Sequence, residues 1–176
     1  YHVKVWCPFP IKRKITSQHL NYITSIGVKK LVKPPNPLNG DLWIDAIFGN
    51  NQNKVVDKKI IALCKKKYDS NCGKIISIDI PTGLCPNTGK IFGEGAVKSH
   101  FTISLGLKKL GILQDEAIPY VGKIINIDFG ISKNHLNKWT KKFLSVSGKD
   151  IKTISLFLPP KNANKYTRGR TLLIAG

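Results

Sequence analysis

GKIISIDIPTGLCPNTG, residues 73–89, is the stretch that decides the fold. Its first half is almost continuously apolar, which is typical of a strand buried on both faces of a parallel sheet. The strand ends near Asp79, and Thr82 follows three residues later, with Pro81 between them. Because the proline ring restricts the backbone, the turn holds the carboxylate and the hydroxyl in place at the carboxyl end of the strand.

The rest of the chain alternates strand-like and helix-like segments around this stretch. Strands are predicted in HVKVWC, VKKLVK, LWIDAIFG, HFTISLG and GKIINIDFGI. Helices are predicted in SQHLNYITSIG, capped by Thr16 or Ser17, and in VVDKKIIALCKKKY. This order predicts an α/β fold with a mostly parallel sheet covered by helices on both faces. The shorter connections between the later strands leave room for a mixed region at one side of the sheet.

The chain carries a net charge of +19, from 29 Lys and Arg against 10 Asp and Glu. Such a charge suits a nucleic acid or another acidic partner. The lysines are scattered, however, and lack the interleaved aromatic residues of single-strand binders. A composition biased towards Lys, Asn and Ile accounts for the charge better. We therefore expect no nucleic-acid partner, and we expect the clusters IKRK, CKKKYD and WTKKF to be solvated faces.

The sequence also indicates a compartment. No apolar run is long enough to span a bilayer, and the first residues lack the apolar core of a signal peptide. We therefore expect a cytoplasmic protein with no membrane partner. The four cysteines show neither C-x-x-C nor zinc-site spacing with histidine, which favours reduced thiols.

The sequence at both ends of the chain indicates a fragment of a longer protein. The chain contains no Met, begins on the strand-like HVKVWC and ends on the strand-like RTLLIAG. We expect a domain at residues 1–132 that lacks its N-terminal part, a polar and basic linker at 133–164, and the start of a second, truncated domain at 165–176.

Three aspartates end predicted strands, where open parallel sheets bind their ligands. Asp128 most simply fixes a turn. Asp45 and Asp79 end similar strands, and each precedes a loop rich in Gly, Asn or Pro. With the hydroxyl of Thr82, they form a set of hard oxygen ligands suited to an alkali or alkaline-earth cation.

The loop GNNQNK, residues 49–54, has two interpretations. Its backbone N–H groups could bind a phosphate, or it is a plain surface loop. Neither the G-x-G-x-x-G fingerprint nor a P-loop occurs in the chain.

Three segments in order, DLWIDAIFG, SIDIPTGLCPNTGKIFGEGAVKSHFTISLGLKKLGIL and VGKIINIDFGI, resemble the YjeF-type N-terminal domain of the NAD(P)H-hydrate epimerase family. The resemblance runs from Leu42 to Ile131 and includes the spacing of Gly106, Lys109 and Gly111. It implies a Rossmann-like three-layer α/β/α fold. The family's N-N-G-G-D-G loop and first sheet strand would precede Tyr1, so the resemblance also implies an N-terminally truncated domain.

The segment LPPKNANKYTRGRTLLIAG is similar to the entry of a ribokinase-like domain of ADP- or ATP-dependent NAD(P)H-hydrate dehydratase. Where that family usually has His-Lys-Gly, this chain has Asn164, Lys165 and Tyr166. Together the two resemblances imply a repair enzyme that epimerises the R and S forms of hydrated NADH and NADPH. In the full-length protein, a dehydratase using ADP or ATP would then remove water from the S form.

The resemblance also implies roles for single residues. Asp45 and Thr82 would hold a potassium ion, and Asp79 would be catalytic. Substrate contacts would come from Gly49, Asn50, Asn51, Gln52, Asn53, Lys54, Val55, Asp79 and Lys109. The partner would be the hydrated dinucleotide, and homo-oligomerisation stays open. The alternative is a non-catalytic binding or scaffold module on the same fold, and a basic nucleic-acid binder is a weaker third reading.

Overall fold

The computed structural model describes residues 1–132, 134, 148, 162–164 and 166–167. By its contacts the chain divides into two units, Tyr1–Ser132 and Lys133–Gly176. Most of the predicted linker and of the second-domain start lies outside the described residues. Within the second unit, Asn164 Oδ1 accepts hydrogen bonds from the N–H groups of Tyr166 at 2.9 Å and Thr167 at 3.1 Å, which defines a polar turn.

The first unit contains two parallel sheets. Strands β1 (Lys4–Trp6) and β2 (Lys29–Leu31) pair with each other. Strands β3 (Trp43–Asp45), β4 (Ile75–Ile78), β5 (Phe101–Leu105) and β6 (Lys123–Ile127) form a second sheet in chain order. The α/β, Rossmann-like fold class is confirmed.

The mixed region that the sequence left open beside the later strands does not occur among the described residues. Every strand pair in both sheets is parallel, and the antiparallel pairing is an isolated bridge between Leu84 and Ile91. The reason lies in the connection from β5 to β6. Two 3₁₀ turns, Leu110–Leu113 and Asp115–Ala117, and the short helix α3 (Ile118–Val121) provide a full crossover in few residues.

Two longer helices complete the unit. Helix α1 spans Lys14–Ser25, and the predicted cap at Thr16 or Ser17 is wrong. Ser17 N already donates to Arg13 O at 3.1 Å, so both predicted caps lie inside the first turn. Helix α2 spans Lys58–Asp69, and the Asp57 side chain caps it by accepting from Lys59 N at 2.8 Å. None of the helices in the described ranges is long and apolar enough to cross a membrane.

The core lies on one face of the four-stranded sheet. One cluster joins α2 to β4 through Val56, Ile60, Cys64, Ile75 and Val97. A second joins the turn after β4 to the 3₁₀ turns and α3 through Ile80, Leu84, Ala96, Ile112, Ala117 and Val121. The strand register places Ile44, Leu105 and Ile125 on the opposite face. Their exposed fractions are 62%, 38% and 41%, whereas Ile76, Phe101 and Ile103 on the same face are half-buried, so the described residues cover that face only in part.

One lysine of the CKKKYD cluster contradicts the expectation of a solvated face. Lys67 is fully buried. Its Nζ donates to the carbonyl oxygens of Asn39 and Cys72 and lies 5.4 Å from the centroid of the Trp43 ring. The ammonium thereby ties the end of α2 to the loop before β3.

We expect Lys67→Met to destabilise the protein by about 2 kcal/mol, because the hydrogen bonds from a charged donor to two partly buried carbonyl oxygens are lost while the apolar stem is kept. Lys66→Met, on the exposed side of the same helix turn, is the matched control and should change stability by less than about 0.5 kcal/mol. Urea unfolding followed by circular dichroism measures both. Equal effects of the two substitutions would show that the buried ammonium contributes nothing specific.

Candidate functional site

Asp45 is buried at the carboxyl end of β3, with 5% of its surface exposed. Its Oδ2 accepts hydrogen bonds from Ser77 Oγ and from Thr82 N, both at 2.8 Å. Its Oδ1 accepts from Thr82 Oγ1 at 2.7 Å and, more weakly, from Ile47 N at 3.4 Å. The structure therefore brings the two predicted cation ligands, Asp45 and Thr82, into direct contact.

The charge of Asp45 has no cationic counterpart within the described part of the chain, where neither salt bridge involves it. Burial raises the pKa of Asp45 above its ordinary value, and the hydrogen bonds from Thr82 and Ser77 oppose that rise without cancelling it. A buried carboxylate beside a hydroxyl oxygen, without an ion-pair partner, fits a small hard cation such as an alkali ion.

Asp79 follows β4 in a strained conformation. Its φ is +70°, in the left-handed region that favours glycine. Ile80 N donates to Ile78 O at 2.9 Å across it, which is the hydrogen bond of a classic γ-turn, a rare and strained turn. Asp79 N also donates to Ile103 O at 2.7 Å, so neighbouring strand β5 holds the turn in place. Strain of this kind concentrates at functional sites.

The Asp79 carboxylate is paired with Lys109. Lys109 Nζ contacts Asp79 Oδ1 and also donates to Leu105 O at 3.1 Å. The exposed fractions of the two side chains are 14% for Asp79 and 18% for Lys109, so the pair is largely shielded from solvent but still reachable. The structure thus joins two residues that lie thirty positions apart in the sequence.

The loop at residues 49–55 divides into one inward residue and six exposed ones. Gly49, Asn50, Asn51, Asn53, Lys54 and Val55 are exposed, and Gln52 is buried. Gln52 Nε2 donates to Pro81 O at 3.1 Å and to Leu84 O, and Gln52 Oε1 accepts from Gly83 N at 2.8 Å. The expected substrate contact by Gln52 needs correction, because its side chain is occupied by backbone of the protein.

A tight contact brings the loop that carries Lys109 against the turn after β4. Gly111 N donates to Pro86 O at 2.7 Å, and a Cβ at position 111 would overlap the Cys85 carbonyl oxygen. Glycine is therefore required where this loop approaches the turn. The GLKKLG segment owes its place beside Asp79 to that approach.

Sequence reasoning missed Ser77 and Ser99. Ser77 Oγ contacts both Asp45 and the Ser99 hydroxyl, and both serines are almost fully buried. A signal existed for Ser77, since it stands two residues before Asp79 and pairs in register with Asp45 across β3 and β4. Ser99 lies in a loop before β5, and nothing in its local sequence marks it.

Other titratable groups have structural roles. Burial, and to a lesser degree the charge of Asp45, raises the pKa of the Cys64 thiol to about 12, so the thiol stays protonated at neutral pH. His100 Nδ1 accepts from Ile75 N at 3.1 Å, and its ring lies 4.6 Å from that of Tyr68. Asp128 Oδ1 accepts from Gly130 N at 2.9 Å, which confirms its predicted role in a turn.

Comparison with known proteins points to one family. The family profile described as "YjeF-related protein N-terminus" matches residues 1–111. The chain is similar to the bifunctional NAD(P)H-hydrate repair enzyme Nnr of Gloeobacter violaceus, with 31% identity over 187 aligned residues that cover 99% of this chain and 35% of that protein. It is 32% identical to the enzyme of the same name from Dictyoglomus turgidum, over 77% of this chain and 26% of that protein.

A shorter relative carries a single activity in its name. The NAD(P)H-hydrate epimerase of Lentilactobacillus buchneri is 36% identical over 92 residues, which cover 52% of this chain and 42% of that protein. The chain thus spans less than half the length of each of these three relatives.

The buried charge of Asp45 predicts a pH-dependent stability cost. Because its pKa in the folded chain is raised above 3.8, its contribution to stability is greatest below that value and is lost as pH rises through the folded pKa. Asp45→Asn lacks this titration. As pH rises from acid to neutral, the unfolding free energy of wild type should therefore fall relative to that of Asp45→Asn.

Urea unfolding at a series of pH values, in buffer free of metal ions, measures this difference. Asp128→Asn, at an exposed strand-end aspartate, is the control for the loss of a carboxylate. A difference between wild type and Asp45→Asn that is constant with pH would contradict the prediction.

Proposed function

The chain belongs to the family of YjeF-related protein N-termini, and on that premise we propose that it is the epimerase part of an NAD(P)H-hydrate repair enzyme. The observation that carries the proposal is the pairing at two neighbouring strand ends. Asp45, at the end of β3, is bound to Thr82, and Asp79, just after β4, is bound to Lys109. The names of the relatives supply the substrate, hydrated NADH or NADPH.

Asp79 is the proposed catalytic residue. Interconversion of the R and S forms requires either transfer of a proton in both directions, or loss and return of the hydroxyl through an iminium. A carboxylate beside the reacting carbon serves the first route as acid and base and the second by stabilising positive charge. Lys109 holds Oδ1, and no hydrogen bond among the described residues engages Oδ2, which leaves that oxygen for the substrate.

Potassium is the proposed cation, held by Asp45 and Thr82. The bound ion would neutralise the buried carboxylate and offer a positive charge to oxygen atoms of the substrate. The chain's own contribution is the geometry that holds the two ligands together. The exposed residues Gly49, Asn50, Asn51, Asn53, Lys54 and Val55 would contact the substrate from the loop beside this pair, together with Lys109.

The domain plan is part of the same proposal. Residues 1–132 would belong to the epimerase domain, 133–164 to a linker, and 165–176 to the start of a dehydratase domain. Upstream residues would supply a further strand and cation loop, and downstream residues would use ADP or ATP to dehydrate the S form. The name of the relatives that the chain matches nearly end to end, a bifunctional repair enzyme, supports this plan. A cytoplasmic location would suit a soluble dinucleotide substrate.

A non-catalytic scaffold on the same fold is the second candidate, since fold does not determine function. A scaffold has no use for a strained aspartate paired with a lysine in a partly open site. The same assay separates the two candidates, because a scaffold would bind without turnover.

We expect Asp79→Asn to lower the rate of R-to-S conversion by about 10²- to 10⁴-fold while the fold is kept, because an amide can neither exchange the proton nor stabilise a cation. Chromatographic separation of the two hydrate epimers, which are diastereomers, measures the conversion rate, and the assay uses the full-length protein that the gene encodes. Asp128→Asn, which removes another strand-end carboxylate, should leave the rate unchanged. Conversion at the parental rate in Asp79→Asn would remove Asp79 from the mechanism.

We expect Thr82→Val to abolish activation by potassium, because the hydroxyl oxygen is lost while the side-chain shape is kept. Thr102→Val is the matched control, since Thr102 is equally buried but donates its hydroxyl to Val121 O. Rates measured against potassium chloride, with choline chloride keeping ionic strength constant, decide the outcome. An equal potassium response in both variants would place the cation elsewhere.

A further inference from the structure

One buried side chain holds the loop at residues 49–55. Gln52 is 7% exposed, whereas its six loop neighbours are exposed. Its amide uses both donor hydrogens and its oxygen in bonds to backbone groups, as a buried amide must if it is not to destabilise the fold. The loop therefore has a single inward polar anchor.

The bonds of this anchor lie on both sides of Thr82. Gln52 Nε2 donates to Pro81 O, the residue before Thr82, and Gln52 Oε1 accepts from Gly83 N, the residue after it. Thr82 in turn donates both its N–H and its hydroxyl to Asp45. The substrate loop and the cation site thus share one turn of backbone.

The turn itself has little freedom to move. Gly83 has a φ of +98°, and a Cβ there would lie 2.7 Å from Gly95 O and 2.8 Å from Ala96 Cα. Leu84, which also accepts from Gln52, is fully buried. A displacement at either end of the Gln52 bridge is therefore passed to the other end instead of being absorbed by the turn.

We propose that Gln52 is a positioning residue that couples substrate binding by the 49–55 loop to cation binding at Asp45 and Thr82. The inference rests on the proposed function of this site. Because coupling between two binding equilibria is reciprocal, potassium raises the affinity for the substrate, and the substrate raises the affinity for potassium by the same factor. Gln52 contacts neither ligand and acts through the shared turn.

The first test is steady-state epimerisation over a grid of substrate and potassium concentrations, in the protein as its gene encodes it. In the parent protein KM falls as potassium rises. In Gln52→Leu, KM at saturating potassium rises about tenfold and loses its dependence on potassium, while kcat changes much less. Gln18→Leu, the same chemical change at an exposed position of α1, keeps the parental dependence.

Gln52→Glu gives a chemical signature that a merely structural role would not produce. The variant keeps an acceptor for Gly83 N but turns a carboxylate towards the carbonyl oxygens of Pro81 and Leu84. Protonation restores a donor to those oxygens. The ratio of the KM of this variant to that of the parent is therefore large at alkaline pH and falls towards one at acid pH. A ratio that is constant with pH overturns the proposed role of the amide donor.

A second readout does not need turnover. Trypsin cleaves after Lys54, which is exposed two residues beyond Gln52. Potassium slows this cleavage in the parent and in Gln18→Leu, but has no effect in Gln52→Leu. If the parent fails to epimerise, the proposed function falls, and the cleavage assay still decides whether Gln52 couples loop and cation. If Gln52→Leu keeps the parental potassium dependence of both KM and cleavage, the coupling is overturned.

Discussion

Asp45, a buried carboxylate with no cationic partner among the described residues, is the constraint on which the rest of this site depends. Asp45 accepts hydrogen bonds from Ser77 and twice from Thr82, which join the ends of β3 and β4 to the turn that follows β4. Those bonds stabilise the ionised form but do not outweigh the cost of burial. The ionised form of Asp45 is therefore disfavoured in the chain alone, and the proposed cation would offset that cost.

The turn that begins at Asp79 carries a second local cost. Asp79 occupies a left-handed conformation that a glycine would adopt more readily, and its backbone is held there by β5. This conformation points the Asp79 carboxylate towards Lys109, which a residue continuing the pleat of β4 would not do. Two unfavourable features, a buried carboxylate and a strained aspartate, thus lie at the ends of the neighbouring strands β3 and β4, and the surrounding backbone contacts hold both.

Two buried polar side chains have structural roles that the composition of the chain does not indicate. Lys67 and Gln52 are both buried, and both donate hydrogen bonds to backbone carbonyl oxygens of loops. Lys67 ties the loop before β3 to α2, and Gln52 ties the loop after β3 to the turn beyond β4. The strand that presents Asp45 is therefore braced on both sides by single side chains.

The sequence by itself determined the fold class and the identity of the candidate residues. Apolar runs separated by helical spacing predict parallel strands, and parallel strands bring Asp45 and Asp79 to one edge of the sheet. Local patterns also predict the turn at Asp128. They fail at Thr16 and Ser17, because α1 begins before these residues and both lie inside its first turn. They also fail at Lys67, because a lysine is expected in solvent unless a tertiary contact provides acceptors for its ammonium.

Only the tertiary structure decided which side chains meet. Nothing in GNNQNK distinguishes Gln52 from its asparagine neighbours, since its burial depends on a turn about thirty residues away. Likewise, Lys109 reaches Asp79 only because Gly111 lets its loop approach the turn after β4, and Ser99 reaches Ser77 from a loop with no pattern of its own. Periodicity records the local environment of a residue along its own element, whereas these contacts arise from the packing of separate elements.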